Sequence, residues 1–190
     1  MSKQIKIQKN VYEFLEKAAK SFANLQLERF EAESLSYLSY LGMESPIEHI
    51  FFIALRLQCE EIGYEFNTDE DSGDYKGFRN RLSVYPQKQI GHYRVDFLIV
   101  CRNLNKTNQI IIELDGHDFH DKDKHQRSYE KARDRFLINS GYKVFHYTGS
   151  DVVSNPHHVV FEVIKSLNVP VFGTLEEHDL ENRIGWDQDA

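Results

Sequence analysis

The sequence predicts an α/β protein built on a small mixed sheet. Two apolar, β-branched stretches at 93–101 and 109–114 are joined by a polar turn and read as paired strands. Ser45-Pro46-Ile47-Glu48 reads as a helix start, with Ser as cap, Pro at the first helical position and Glu three residues after the cap. The order helix, helix, strands, helix, strand, helix then leaves a sheet with helices to cover it.

Taken in order, residues 10–41 carry Leu15, Ala18, Phe22 and Leu25 at helical spacing, with Gly42 as a stop. The helix that opens at Ser45 turns Ile47, Ile50, Phe51, Ala54 and Leu57 inward and ends near Gly63. Residues 65–76 are acidic, contain Gly73 and read as a loop, and a short strand is expected at 82–85. Val95, Phe97, Leu98, Ile99 and Val100 form the first long strand, residues 102–108 a turn, and Ile110, Ile111 and Ile112 a strand buried on both faces. Residues 116–126 are polar and loop-like; 128–140 form a helix with Ala132, Phe136 and Leu137 inward and Gly141 as its stop. A strand at 143–148 and one last helix, opened by Asp151 or Asn155 and running to about Leu167, complete the chain's ordered part.

At 190 residues, with 41% apolar and 28% charged residues, the chain suits one compact domain with short appendages. The longest purely apolar run, residues 50–55, is far too short for a bilayer, and nothing apolar follows the first lysines as in a secretory signal. Two cysteines make neither a disulfide framework nor a four-thiolate metal site, so a reducing cytoplasm is the expected compartment. The net charge of −7 argues against nucleic acid as a partner, but it is unevenly spread. Residues 60–74 hold seven acids and no Lys or Arg, and residues 168–190 hold six acids against Arg183, which leaves the remainder positive. That distribution suits a phosphate-bearing substrate and equally a neutral one.

Three acids stand where the pattern says core. Asp96 interrupts the first long strand, and Glu113 and Asp115 end the second, on one face of it. A carboxylate in a buried strand is costly unless paired or metal-bound. If the two strands are neighbours, Asp96 and Glu113 converge at one edge, an oxygen set that suits Mg²⁺. The competing reading is an ion pair with Arg94, Arg133 or Arg135. For Glu48 the competing reading is a helix cap, and for Asp115 a turn beside Gly116.

These residues carry a resemblance. Ser45-Pro46-Ile47-Glu48, then Gln87-x-x-Ile90-Gly91-x-Tyr93-Arg94-Val95-Asp96-Phe97, then Ile112-Glu113-Leu114-Asp115-Gly116, then Glu130-x-x-Arg133-x-x-x-Leu137-x-x-x-Gly141-Tyr142-x-Val144, resemble the PD-(D/E)XK nuclease superfamily. Within it, residues 45–167 look like small endonuclease-like domains of unknown function related to very-short-patch mismatch-repair endonucleases. The resemblance implies a restriction-endonuclease-like core, a mixed central sheet of about four strands flanked by helices; outside it lie residues 1–44, an added N-terminal helical segment, and 168–190, an acidic tail. It implies a DNA-cleaving, Mg²⁺-dependent phosphodiesterase in which Mn²⁺ substitutes. Asp96, Glu113 and the Leu114 carbonyl would hold the ion, Glu48 would bind a second ion or a water, and Gln87 would orient water or a phosphate oxygen. The superfamily's lysine two residues after the glutamate is Asp115 here, and the branch's histidine after Asp-Gly matches either His117 or His120.

Other features fit around this reading. His117, His120 and His125 have no cysteine near them for a zinc site, and His120 suits a general acid or phosphate ligand. Lys122, Lys124, Arg127, Lys131 and Arg133 form a basic stretch for phosphate contacts, or else an ordinary charged helix face. DNA is the expected partner, with RNA as an alternative. A binding module of the same fold without turnover is the reading from another class. No membrane partner is expected, and oligomeric state is not legible.

Overall fold

The computed structural model describes residues 9–68, 81–103, 106–116 and 124–168. The chain divides into two compact units, Met1–Leu41 and Gly42–Ala190. The first is a single long helix, α1 (Lys9–Tyr40), with Phe14, Phe22, Leu25, Leu27 and Leu35 exposed and Arg29 Nε 2.8 Å from Glu33 Oε1 one turn on. Among the described residues no helix is long and apolar enough to cross a membrane.

The second unit is built on a five-stranded sheet in the order β1-β2-β3-β4-β5: β1 (Glu65–Asn67), β2 (Arg81–Ile90), β3 (Tyr93–Asn103), β4 (Lys106–Asp115) and β5 (Lys143–Thr148). The three central strands are antiparallel neighbours, and the two outer pairs, β1 with β2 and β4 with β5, are parallel. The helices are α2 (Pro46–Glu61), α3 (Lys124–Asn139), α4 (Gly149–Ser154) and α5 (Pro156–Ser166). This is a mixed α/β fold consistent with a restriction-endonuclease-like core.

Alternation along the strands separates two apolar layers. Phe97, Ile99, Ile110 and Ile112 lie on one face, where Phe97 meets Phe51 of α2 at 5.0 Å between ring centroids, and α2 packs on α5. Leu98, Val100 and Ile111 lie on the other, packed with Leu137 of α3 and flanked by Phe136 and Val144. Three consecutive isoleucines are buried because both faces are covered, which is what a continuous apolar run in a strand requires. The β2–β3 hairpin turns at Gly91, whose φ of +61° suits glycine, and a Cβ there would lie 2.8 Å from Phe136 Cζ. That contact seats α3 against the hairpin.

The structure departs from the expectations at the polar margins. Residues 65–67 pair with β2 and are a strand rather than loop, while 69–76 fall outside the described residues. β2 extends well past Tyr85 to Ile90, because Lys88, Gln89 and Ile90 are held by backbone pairing that polar side chains do not advertise. The 102–108 turn contracts likewise: Arg102 pairs with Thr107 and Asn103 with Lys106. α3 begins at Lys124, earlier than expected. The last helix is two, each with its own cap: Thr148 accepts from Asp151 N, and Asn155 accepts from His158 N. The extra strand makes five rather than about four.

Candidate active site

The site residues gather at one end of the central strands. β3 and β4 pair as far as Phe97 opposite Ile112, and Asp96 and Glu113 come directly beyond that last pair. Asp96 Oδ2 accepts a 2.7 Å hydrogen bond from the Leu114 backbone N–H, which fixes the carboxylate beside the end of β4. Burial raises its pKa above the usual range, opposed by that bond; Glu48 and Asp115 push it further up and Arg133 pulls it down.

Glu113 is 4% exposed, and burial pushes its carboxyl up to about 8 despite the neighbouring Arg133 cation. Arg133 Nη1 stands 3.2 Å from Glu113 Oε2, whereas Glu113 Oε1 is buried with no hydrogen-bond partner. The ion pair weighed against metal binding is therefore present for Glu113 and engages one oxygen. Of the other arginines weighed, Arg94 pairs instead with Glu44, at 2.9 and 3.2 Å.

Glu48 is 6% exposed and sits in the helix-cap position weighed for it. Its backbone N–H donates to the Ser45 cap, and Ser45 Oγ donates to Glu48 Oε1 at 2.6 Å. Its Oε2 accepts from Glu44 N at 3.1 Å and from Gln87 Nε2 at 2.8 Å. Gln87 thus ties α2 to β2. The pairs Pro86–Phe97 and Lys88–Val95 continue one register across it, which sets Gln87 opposite Asp96, and only there does the ladder lapse. Gln87 has φ +51°, a conformation costly for a side chain larger than glycine, and its Oε1 is buried without a partner. Strain and an orphaned acceptor meet beside the acids.

Asp115, at the end of β4, is half-buried, with Oδ2 3.5 Å from His146 Nδ1. His146 Nε2 lies 3.3 Å from Asp134 Oδ2. Neither His146 nor Asp134 stands out in the sequence. His146 is a polar interruption in a short strand, and Asp134 is one charge among many on α3; only the parallel register of β4 on β5, which pairs Glu113 with His146, reveals them.

Lys131 is exposed on α3, and Arg133 is 16% exposed and committed to Glu113. Lys124 and Arg127 lie on the α3 backbone, but their side chains are outside the described residues, as are His117, His120 and Lys122 altogether. Thus Glu48, Gln87, Asp96, Glu113, Leu114 and Asp115 cluster, with Arg133 among them. Among the described residues, no three His, Cys, Asp or Glu side chains are grouped as a ready metal site.

The fold is consistent with a restriction-endonuclease-like domain. Residues 78–167 match the family model REase_MTES_1575. An uncharacterized protein of Haemophilus influenzae is 32% identical over 124 residues, spanning 62% of this chain and 73% of that protein. The chain belongs to the same family as this Haemophilus protein. No solved structure matches it.

Proposed function

We propose that the protein is a metal-dependent endonuclease that hydrolyses phosphodiester bonds in DNA. The observation that carries this reading is the orphaned Glu113 Oε1, buried without a partner at the strand end where the next residue's N–H, that of Leu114, donates to Asp96 Oδ2 at 2.7 Å. An orphaned carboxylate oxygen beside a second acid suits a hard cation, which would satisfy both. Asp96, Glu113 and the Leu114 carbonyl would hold Mg²⁺, with Glu48 close by, and Mn²⁺ would substitute. When bound, the ion supplies Lewis acidity at the scissile phosphate and offsets charge on the departing oxygen. Gln87 and Glu48, joined at 2.8 Å, orient water on the α2 side. Lys131, exposed on α3, would meet the phosphate backbone, and Lys122, Lys124, Arg127 and His120 are the further phosphate contacts of this reading.

One observation favours the second reading, a nucleic-acid-binding module without turnover: Arg133 already neutralises one oxygen of Glu113 at 3.2 Å. Supercoiled plasmid incubated with Mg²⁺, Mn²⁺ or EDTA separates the two. The nuclease reading expects metal-dependent nicking or linearisation that is lost in Asp96→Ala and Glu113→Gln. Binding without cleavage in any metal overturns it, and cleavage persisting in either variant removes these residues. Labelled RNA, offered as competitor, tests the choice of DNA.

A further inference from the structure

Opposite Glu113 on the sheet, His146 of β5 sits between two acids. Its Nδ1 is 3.5 Å from Asp115 Oδ2 and its Nε2 is 3.3 Å from Asp134 Oδ2. Asp134 follows Arg133 on α3; Arg133 Nε is 3.9 Å from Asp134 Oδ1, and Arg133 Nη1 is 3.2 Å from Glu113 Oε2. The contacts run from Glu113 through Arg133, Asp134 and His146 to Asp115. That chain starts and ends on one strand, two residues apart and on one face. The parallel register brings it about: Glu113 lies opposite His146, so the imidazole emerges beside both acids of β4.

We infer that His146 is a positioning residue: it sets the orientation of the Asp115 carboxylate relative to Glu113, and Asp134 in turn holds the imidazole. A strand-end aspartate left to itself samples several rotamers. One facing an imidazole whose far nitrogen is also engaged presents its oxygens in one orientation, as residues behind a reacting group commonly do. The consequence for turnover rests on the nuclease reading above; the clamp itself rests on the geometry alone.

The two ring nitrogens allow the clamp to be dissected. Asparagine at 146 keeps a donor near the Nδ1 position, toward Asp115, and glutamine keeps one near Nε2, toward Asp134. A structural role would rank the two variants by stability, whereas a role through Asp115 ranks them by which nitrogen survives. Full-length wild type, His146→Ala, His146→Asn and His146→Gln are compared in single-turnover plasmid cleavage at saturating protein with Mn²⁺. His146→Ala and His146→Gln are expected to slow cleavage roughly 10- to 100-fold, the range for removing an orienting partner, and His146→Asn to stay within about threefold of wild type. Adding Asp115→Asn to His146→Ala should slow it no further than Asp115→Asn alone. Wild-type rates in all variants, equal losses in the Asn and Gln variants, or multiplying losses in the double variant overturn the inference. If the wild type does not cleave, the nuclease reading fails on its own. The clamp is then read from ¹⁵N spectra of the histidine ring, where Asp115→Asn should shift Nδ1 of His146 and Asp134→Asn should shift Nε2. Resonances unmoved by either substitution overturn it.

Discussion

Replacing Glu113 by glutamine isolates the consequence of burying a carboxyl beside three other acids. Glu113 is 4% exposed, and its pKa rises from 4.5 to about 8 because burial outweighs the pull of Arg133, with Asp96, Asp134 and Asp115 adding to the rise. An acid whose folded pKa exceeds its unfolded value holds its proton more tightly when folded. Below about pH 4.5 both states are protonated and nothing is lost. Between about 4.5 and 8 the unfolded chain releases a proton that the folded one retains, so stability falls by about 1.4 kcal/mol per pH unit. Above about 8 the loss levels off, on the order of 5 kcal/mol, comparable to a small domain's whole stability. The glutamine amide cannot ionise and keeps the shape of the protonated acid. Urea melts of metal-free wild type and Glu113→Gln at pH 5, 7 and 9 should therefore diverge, the variant gaining on the wild type as pH rises. Adding Mg²⁺ at pH 9 should recover stability in the wild type only, because the cation binds the ionised form. A stability difference that is flat from pH 5 to 9 would refute the argument, since it would mean that Arg133 keeps Glu113 ionised throughout.

Three further outcomes follow from the local geometry. Gly91→Ala forces a Cβ to within 2.8 Å of Phe136 Cζ at φ +61°, and should cost about 1–3 kcal/mol in urea melts, partly recovered by adding Phe136→Leu. Ser45→Ala removes both the cap of α2 and the hydroxyl that donates to Glu48 Oε1 at 2.6 Å; it should cost about 1 kcal/mol and slow any metal-dependent cleavage more than that loss of stability explains. Gln87→Gly relieves φ +51° but releases Glu48 Oε2, so stability should hold within about 1 kcal/mol while cleavage falls; equal losses in both would show that Gln87 is only structural.

What could be read from the sequence was whatever short-range chemistry determines. The cap at Ser45 with Pro46 and Glu48 is local, and α2 starts there. β3 and the core of β4 were legible because Val95 to Val100 and Ile110 to Ile112 are apolar beyond what a half-exposed strand needs. β1 and the second half of β2 were not, since Glu65, Lys88 and Gln89 join the sheet through backbone groups that side-chain chemistry does not reveal. The same divide runs through the site. Asp96 and Glu113 betray themselves as charges in apolar strands. His146 does not, because its neighbours come from the pairing of β5 on β4 and from a turn of α3. Arg133 was legible in two incompatible roles, phosphate contact and partner of a buried acid, and only its 3.2 Å approach to Glu113 shows which one it fills in the folded chain.

The case for a working site lies in where this fold breaks ordinary rules. Most of the sheet follows them: its apolar residues are buried and its register runs regularly. At one end, burial pushes the carboxyl of Glu113 up to about 8, and three buried oxygens, Glu113 Oε1, Gln87 Oε1 and Asp134 Oδ1, have no hydrogen-bond partner. There too a glutamine adopts a backbone conformation that suits glycine. Each departure costs free energy, and none improves packing that an isoleucine or a glycine would not improve further. Departures scattered over the molecule would read as tolerated imperfections. Tyr64 OH and Ser83 Oγ are also buried without a partner, but Gln87, Glu113, Arg133 and Asp134 each carry such an atom, and the strained backbone of Gln87 adds to them, which is the pattern the proposed ligand site requires.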